Sequence, residues 1–117
     1  MKQKAVFAVV VAFAGMAVAC ASTFPPPNNE VAAAQGDVGR AQTGGAPSVP
    51  DAKLHLQLAE EDLQKAKALI GTDNQRAASL TAVASAEAQL ALSLGQQAEA
   101  EARARQAQAA LASAATK

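Results

Sequence analysis

Few side chains in this 117-residue chain could do chemistry, and they are far apart. His55 is the only histidine and Cys20 the only cysteine. Catalytic and metal sites need several reactive groups converging on one point. Glu60, Glu61 and Asp62 diverge if helical, because helix neighbours face each other only three or four positions apart. The sequence therefore predicts no catalytic, cofactor-binding or metal-binding residue, and it predicts that His55 is a solvated side chain on a helix surface.

Cys20 follows a segment typical of secretion. Residues 1–19 have two lysines among the first four positions, continue as an apolar run and end in small residues, which are the parts of a signal peptide. The apolar run is shorter than the roughly 20 residues of a membrane-spanning helix. The tetrad Ala-Val-Ala-Cys at 17–20 resembles a bacterial lipobox, in which cleavage after Ala19 leaves the cysteine as a lipidated N-terminus. The alternative is an ordinary signal peptide followed by a free cysteine.

Acylation of Cys20 would make membrane lipid the first partner of this chain. Two or more acyl chains on one residue give a stable anchor, whereas a single chain binds only marginally. The next residue is Ala21 rather than aspartate. By resemblance to enterobacterial sorting, this favours the periplasmic face of the outer membrane over retention at the inner membrane.

The composition argues against several classes of function. The whole chain has 10 basic and 10 acidic side chains, and aromatic residues make up 3%. It therefore has neither the basic surface nor the stacking platforms of a nucleic-acid-binding protein. Removal of 1–19 leaves 98 residues with a net charge of −2. Only 16 of these 98 residues are Leu, Ile, Val or Phe. Alanine occurs 33 times in the chain, so we expect a helical protein with a thin core.

The mature chain is predicted to begin with a spacer and a weak helix. Residues 20–29 contain three consecutive prolines, which favour a stiff, extended tether. A helix over 30–43, capped by Asn28 or Asn29, is weakened by two internal glycines. The stretch 44–50 is rich in glycine and proline and is predicted to be a linker.

The rest of the mature chain, 51–115, is predicted to be an antiparallel, coiled-coil-like hairpin of the all-α class. Gly71 is suited to ending a first helix over 51–70, and 72–75 has the T-x-x-Q pattern of a capping box for a second helix over 73–114. A turn this short makes the two helices antiparallel neighbours. The first helix has a strict heptad seam of apolar residues: Ala52, Leu56, Ala59, Leu63, Ala66 and Ile70.

The second helix has a broader apolar pattern. We expect Leu80, Val83, Leu90 and Leu94 to form the core face of its first half, and we expect the helix to continue through Gly95. Its second half, 96–114, has no equal partner within the hairpin, so it packs on the first helix, projects, or pairs with another chain. A 4-3 rhythm with polar interruptions runs through Ala86, Leu90, Ser93, Gln97, Ala100, Ala104, Ala107, Leu111 and Ala114.

This layout resembles short bacterial lipoproteins and periplasmic proteins with an alanine-rich helical domain of unknown function. The matching stretches are Ala46-Pro47, the Leu/Ala seam over 56–66, Gly-Thr-Asp at 71–73, residues 77–92 and the tail 98–110. Some of these proteins place the domain before a peptidoglycan-binding domain of the outer-membrane-protein A type, which this sequence lacks. The resemblance implies no enzymatic activity.

A weaker similarity links the chain to murein lipoproteins. These are short, acylated helical proteins that end in a lysine joined to peptidoglycan, and Lys117 is the corresponding candidate here. The internal linker and the Gly71 turn depart from the continuous heptads of such rods.

The sequence therefore predicts a non-enzymatic, lipid-anchored envelope protein with a structural or scaffolding role. The alternatives are a binding module that presents its C-terminal helix to an envelope protein or peptidoglycan, and a wall tether through Lys117. Self-association or an envelope protein partner is compatible with each of these roles. No cofactor, nucleic acid or small-molecule substrate is expected.

Overall fold

A computed structural model describes residues 23–116, and within that range the chain is all-α, as predicted. Three helices follow one another along the chain: α1 (Asn28–Thr43), α2 (Pro50–Leu69) and α3 (Asn74–Ala115). A short 3-10 turn, Ala46–Ser48, lies in the loop between α1 and α2.

The heptad seam predicted for α2 is confirmed. Proline stands at the first position of the helix, where its missing N–H costs nothing. Ile70 lies just beyond the helix and packs against the edge of the core. The five seam residues within the helix are all buried: Ala52, Leu56, Ala59, Leu63 and Ala66.

The turn between α2 and α3 depends on Gly71, whose φ of +85° lies in the left-handed region that favours glycine. The N-cap of α3 is Asp73, whose carboxylate accepts a hydrogen bond from the Arg76 amide at 3.0 Å. The predicted capping box beginning at Thr72 is therefore wrong. The Thr72 hydroxyl donates to the Leu69 carbonyl at 3.0 Å, because the last turn of α2 still has carbonyl groups to satisfy.

The core face of α3 consists of small side chains rather than the predicted leucines. Val83 and Leu90 are 47% and 43% exposed, and Leu80 and Leu94 are half-buried. This prediction fails because the larger side chains of the facing helices, such as Val38, Leu56 and Leu63, fill the core and leave room on α3 only for small side chains. The buried positions follow their own 4-3 spacing: Ala77, Thr81, Ala84, Ala88, Ala91 and Gly95.

The first helix is continuous over Asn28–Thr43. It begins at Asn28 with no side-chain cap, so the expected asparagine cap is wrong. The Asn28 amide instead donates to the Pro26 carbonyl at 2.9 Å. Burial compensates for the two internal glycines, because one face of α1 lies against the other helices. The buried residues on this face are Val31, Ala34, Asp37, Val38 and Ala41.

Pairs across the helices define a three-helix bundle around the predicted hairpin. The Asn74 amide donates to the Phe24 carbonyl at 2.8 Å, fifty residues earlier, while Asp37 on α1 meets Ser85 on α3, forty-eight residues later. This nearly constant offset shows that the chain from Phe24 through α1 runs parallel to α3. Because a short turn joins α2 to α3, α2 is antiparallel to both.

The loop between α1 and α2 crosses α3 at Gly95, where α3 is buried. The helix continues through this glycine to Ala115, as predicted. Beyond the loop, α3 extends alone for about 30 Å at 1.5 Å per residue. We call this part, residues 96–115, the arm.

Candidate functional site

The most enclosed charged group of the described residues is the carboxylate of Asp37 on α1, a residue only 6% exposed. It accepts hydrogen bonds from the Ser85 hydroxyl, from the Gln89 amide at 3.3 Å and from the Arg40 guanidinium. The Ser85 hydrogen bond, followed by those from Gln89 and Arg40, lowers the pKa of Asp37 below its usual 3.8, although burial opposes the shift. The carboxylate is therefore an anion that joins α1 to α3.

The serine of this cluster is hydrogen-bonded to a carboxylate and not to a histidine. The Ser85 hydroxyl donates to a carboxylate, and the single histidine of the chain lies on α2 with a different partner. An activated serine needs a base that takes its proton and a third group that orients that base. The sequence does not reveal this cluster, because one aspartate within an apolar helical pattern looks like any other polar interruption.

His55 is half-buried rather than solvated, which corrects the prediction. Its Nδ1 lies 2.5 Å from the Glu87 carboxylate on α3. The two side chains are 29% and 27% exposed, and they join the outer edges of α2 and α3. The prediction fails because it considered α2 alone, whereas α3 brings a carboxylate to the histidine.

The three consecutive acidic residues of α2 do not converge on one point: Glu60 turns toward α1, whereas Glu61 and Asp62 approach a lysine of their own helix. Glu60 accepts a hydrogen bond from the Gln42 amide of α1 at 2.7 Å. Glu61 and Asp62 lie 3.7 Å and 3.2 Å from the Lys65 ammonium of their own helix. Across residues 23–116, no group of three His, Cys, Asp or Glu side chains is arranged to hold a metal ion.

An open groove between α1 and α2 is lined mainly by amide and charged side chains. The hydrogen bond from Gln42 to Glu60 crosses it. Its polar side chains offer hydrogen-bond donors and acceptors to solvent. The polar lining residues are Gln35, Gln42, Gln57, Glu60, Glu61, Gln64 and Lys67.

The arm is the most exposed part of the bundle's helices. Ala98 and Ala102 are half-buried, and the other arm residues are exposed. Ion pairs within the helix stabilise it: Arg103 lies 3.3 Å from Glu99, and Arg105 lies 3.9 Å from Glu101. Such i,i+4 pairs contribute about 0.3–0.5 kcal/mol each.

One face of α3 repeats the heptad spacing while pointing away from α1 and α2. It includes the 4-3 rhythm predicted from the sequence and begins one step earlier, at Val83. Each of its residues is exposed, and Leu111 is the most exposed large apolar side chain at 72%. We call it the outer stripe: Val83, Ala86, Leu90, Ser93, Gln97, Ala100, Ala104, Ala107, Leu111 and Ala114.

The proposed site residues at the chain ends, Ala19, Cys20 and Lys117, lie outside the described residues. Among residues 23–116, α3 is the one helix long and apolar enough to cross a membrane by length and composition. Such a helix is weak support for a membrane span, because part of its most apolar window is buried in the bundle. Comparisons with protein-family models, curated proteins and solved structures find no match to the chain.

Proposed function

We propose that this protein is a non-enzymatic, lipid-anchored component of the bacterial envelope with a structural or scaffolding role. The proposal places it at the periplasmic face of the outer membrane, anchored through an acylated Cys20 that follows a signal peptide ending at Ala19. The lipobox-like sequence before the bundle supports the lipid anchor. The dispersed reactive side chains of the bundle support a non-enzymatic role.

The observation that supports a structural role is the distance between the tether, at one end of the bundle, and the arm, which leaves the other end. The hydrogen bond from Asn74 to the Phe24 carbonyl holds the tether beside the start of α3. The arm leaves the bundle at the other end of the same helix, which is about 60 Å long at 1.5 Å per residue. An anchor attached through the tether would therefore hold the arm away from the lipid surface.

The anchor is tested by growing cells with an alkyne-bearing fatty acid and detecting the label on the full chain. We expect label on the wild-type protein, and we expect Cys20→Ser to lose the label and leave the membrane fraction. Ala21→Ser keeps the cysteine and serves as the matched control, retaining both label and fractionation. Label on Cys20→Ser, or unlabelled wild type, would overturn the anchor.

A further inference from the structure

The end of the bundle beside the tether differs in charge from the rest. We call it the tether end: it comprises residues 23–30 and 65–76, which include the starts of α1 and α3 and the end of α2. These residues have three basic side chains against two acidic ones, a net charge of +1. The rest of the bundle, 31–64 and 77–95, has two basic against six acidic ones, a net charge of −4 with histidine neutral. The bundle is therefore polarised, with its positive end next to the tether.

Two cations of the tether end make no ion pair within the described part of the chain. They are Lys67, in the last turn of α2, and Arg76, in the first turn of α3. Lys67 lines the groove between α1 and α2, whereas Arg76 lines a groove between α2 and α3. They therefore flank the end from two sides. Of the two acidic residues there, Glu30 and Asp73, the second already accepts the hydrogen bond that caps α3.

Phe24 adds an apolar side chain to the same end. It is the one aromatic residue within 23–116, and it is 46% exposed. Phe24 lines a shallow cavity together with Thr72 and Asn74, so it lies against the turn between α2 and α3. Leu69, half-buried at the end of α2, lines the groove that contains Arg76. Aromatic and leucine side chains beside cations are typical of surfaces that bind membranes.

The length of chain between Phe24 and Cys20 indicates what lies opposite this end. The hydrogen bond from Asn74 fixes the Phe24 carbonyl to the bundle, so residues after Phe24 add no reach. The four residue steps from Cys20 to Phe24 span at most about 14 Å. With Cys20 in lipid, the tether end is therefore held beside the headgroups, and surface charge acts over about 8–10 Å at moderate salt.

We propose that the tether end binds an anionic phospholipid surface. Lys67 and Arg76 contact the headgroup phosphates, and Phe24 enters the headgroup region. Anionic lipid attracts lysine and arginine side chains close to its surface. The contact depends on the proposed lipid anchor at Cys20, because the anchor supplies the surface.

Such a contact would also set the orientation of the bundle. The arm leaves the bundle at the end opposite the tether, so a bundle that stands on its tether end directs the arm away from the lipid. The same anionic surface repels the rest of the bundle, with its net charge of −4. This repulsion opposes the alternative in which the bundle lies flat on the membrane.

Fluorescence quenching in vesicles tests the contact on the acylated full chain. With Cys20 acylated, Thr72→Cys gives one free thiol at the tether end, and Ser48→Cys gives one at the other end of the bundle. Both positions are exposed. The labelled chains are reconstituted in vesicles that carry a nitroxide on a lipid headgroup, made of phosphatidylcholine or of an equal mixture with phosphatidylglycerol. We expect the probe at 72 to be quenched at least twofold more strongly in the mixed vesicles, and the probe at 48 to be quenched weakly and equally in both.

A matched pair of substitutions separates the charge of the tether end from the anchor. Arg76→Glu reverses a cation at this end, and Lys53→Glu makes the same change at an exposed lysine near the start of α2, at the other end. Glutamate is favourable in the first turn of a helix, so both variants should fold, which circular dichroism verifies. We expect Arg76→Glu to lower quenching of the probe at 72 at least twofold in mixed vesicles, and Lys53→Glu to leave it unchanged.

Phe24→Ala tests the apolar part of the contact. We expect it to lower quenching of the probe at 72 in both kinds of vesicle, because an apolar contact does not depend on headgroup charge. Leu111→Ala is the control, since Leu111 is exposed on the arm. Equal quenching in these two variants would overturn the role of Phe24.

The outcomes separate the anchor from the contact. If the wild-type chain stays with neither kind of vesicle, Cys20 holds no lipid, and both the anchor and the contact are overturned. If the chain stays with the vesicles but the probe at 72 is quenched equally in both kinds, the anchor stands and the contact is overturned. Equal quenching in Arg76→Glu and Lys53→Glu would overturn it as well.

Discussion

Gly95 lies so close to Gly44 that a β-carbon on Gly95 would stand 2.6 Å from the Gly44 carbonyl oxygen. The same β-carbon would lie 2.7 Å from the Ala46 amide nitrogen. Both neighbours are backbone atoms, which cannot rotate away as a side chain would. The absence of a side chain at Gly95 therefore lets the α1–α2 loop rest on α3 and sets where the bundle ends and the arm begins.

This contact reverses the expected effect of replacing glycine in a helix. Alanine usually stabilises a helix interior by about 1 kcal/mol relative to glycine, but Gly95→Ala must push the loop away. We expect Gly95→Ala to lower the free energy of unfolding by about 1–3 kcal/mol, the usual cost of overpacking. Denaturant unfolding followed by circular dichroism measures this.

Gly36 on α1 is the matched control. A β-carbon on Gly36 would have no heavy atom of the described chain within 4 Å, apart from those of its own helix turn and chain neighbours. Gly36→Ala should therefore stabilise the bundle by about 1 kcal/mol. If both substitutions stabilise the protein, the close contact at Gly95 does not exist in solution.

Asp37 should make stability depend on pH. Its pKa is lowered in the folded state, chiefly by the Ser85 hydroxyl. The stabilisation is therefore present above the unfolded-state pKa and is lost as the pH falls through the folded-state value. We expect Asp37→Ala to cost about 1–3 kcal/mol at pH 7, because Ser85 and Gln89 lose their acceptor.

The difference in unfolding free energy between wild type and Asp37→Ala should shrink below about pH 4. Urea unfolding at pH 7 and pH 3 measures it. Glu101→Gln, on the exposed arm, is the control and should show little difference at either pH. If the difference in unfolding free energy between wild type and Asp37→Ala is the same at both pH values, the ionised form of Asp37 does not stabilise the fold.

The small residues on the inner face of α3 should be intolerant of larger ones. Ala84 is fully buried, whereas Ala82 is exposed on the same helix. Ala84→Leu should destabilise the bundle by about 1–3 kcal/mol through overpacking. Ala82→Leu should remain within about 0.5 kcal/mol of wild type. Thermal unfolding compares the two, and similar melting temperatures would mean that the inner face is not closely packed.

The start of α3 should depend on Asp73 more than on Thr72. Asp73 caps the first turn, so Asp73→Ala should cost about 0.5–2 kcal/mol. Thr72→Ala removes an exposed hydrogen bond to the end of α2, and we expect a loss below about 0.5 kcal/mol. Unfolding by urea ranks the two variants. If Thr72→Ala costs more unfolding free energy than Asp73→Ala, Thr72 would be the N-cap of α3.

The arrangement of Asp37, Ser85 and Gln89 shows why the polar cluster escaped prediction from the sequence. Forty-eight residues separate Asp37 from Ser85, and neither has a distinctive local pattern. They meet because α1 runs parallel to α3. This arrangement results from the packing of α1 on the other two helices, which no local sequence pattern specifies. The contact between His55 and Glu87 escaped prediction for the same reason, because the two residues lie on different helices.

The amino-acid sequence determined the helices themselves, the turn at Gly71 and the seam from Ala52 to Ala66. These are local properties, since periodicity and glycine's backbone freedom act over a few residues. Tertiary structure decided which face of α3 is inside. Alanines at 84, 88 and 91 take the core because three helix axes approach closely there, while Val83 and Leu90 remain outside. Two heptad patterns coexist on α3, and only the positions of α1 and α2 determine which of them is buried in the bundle.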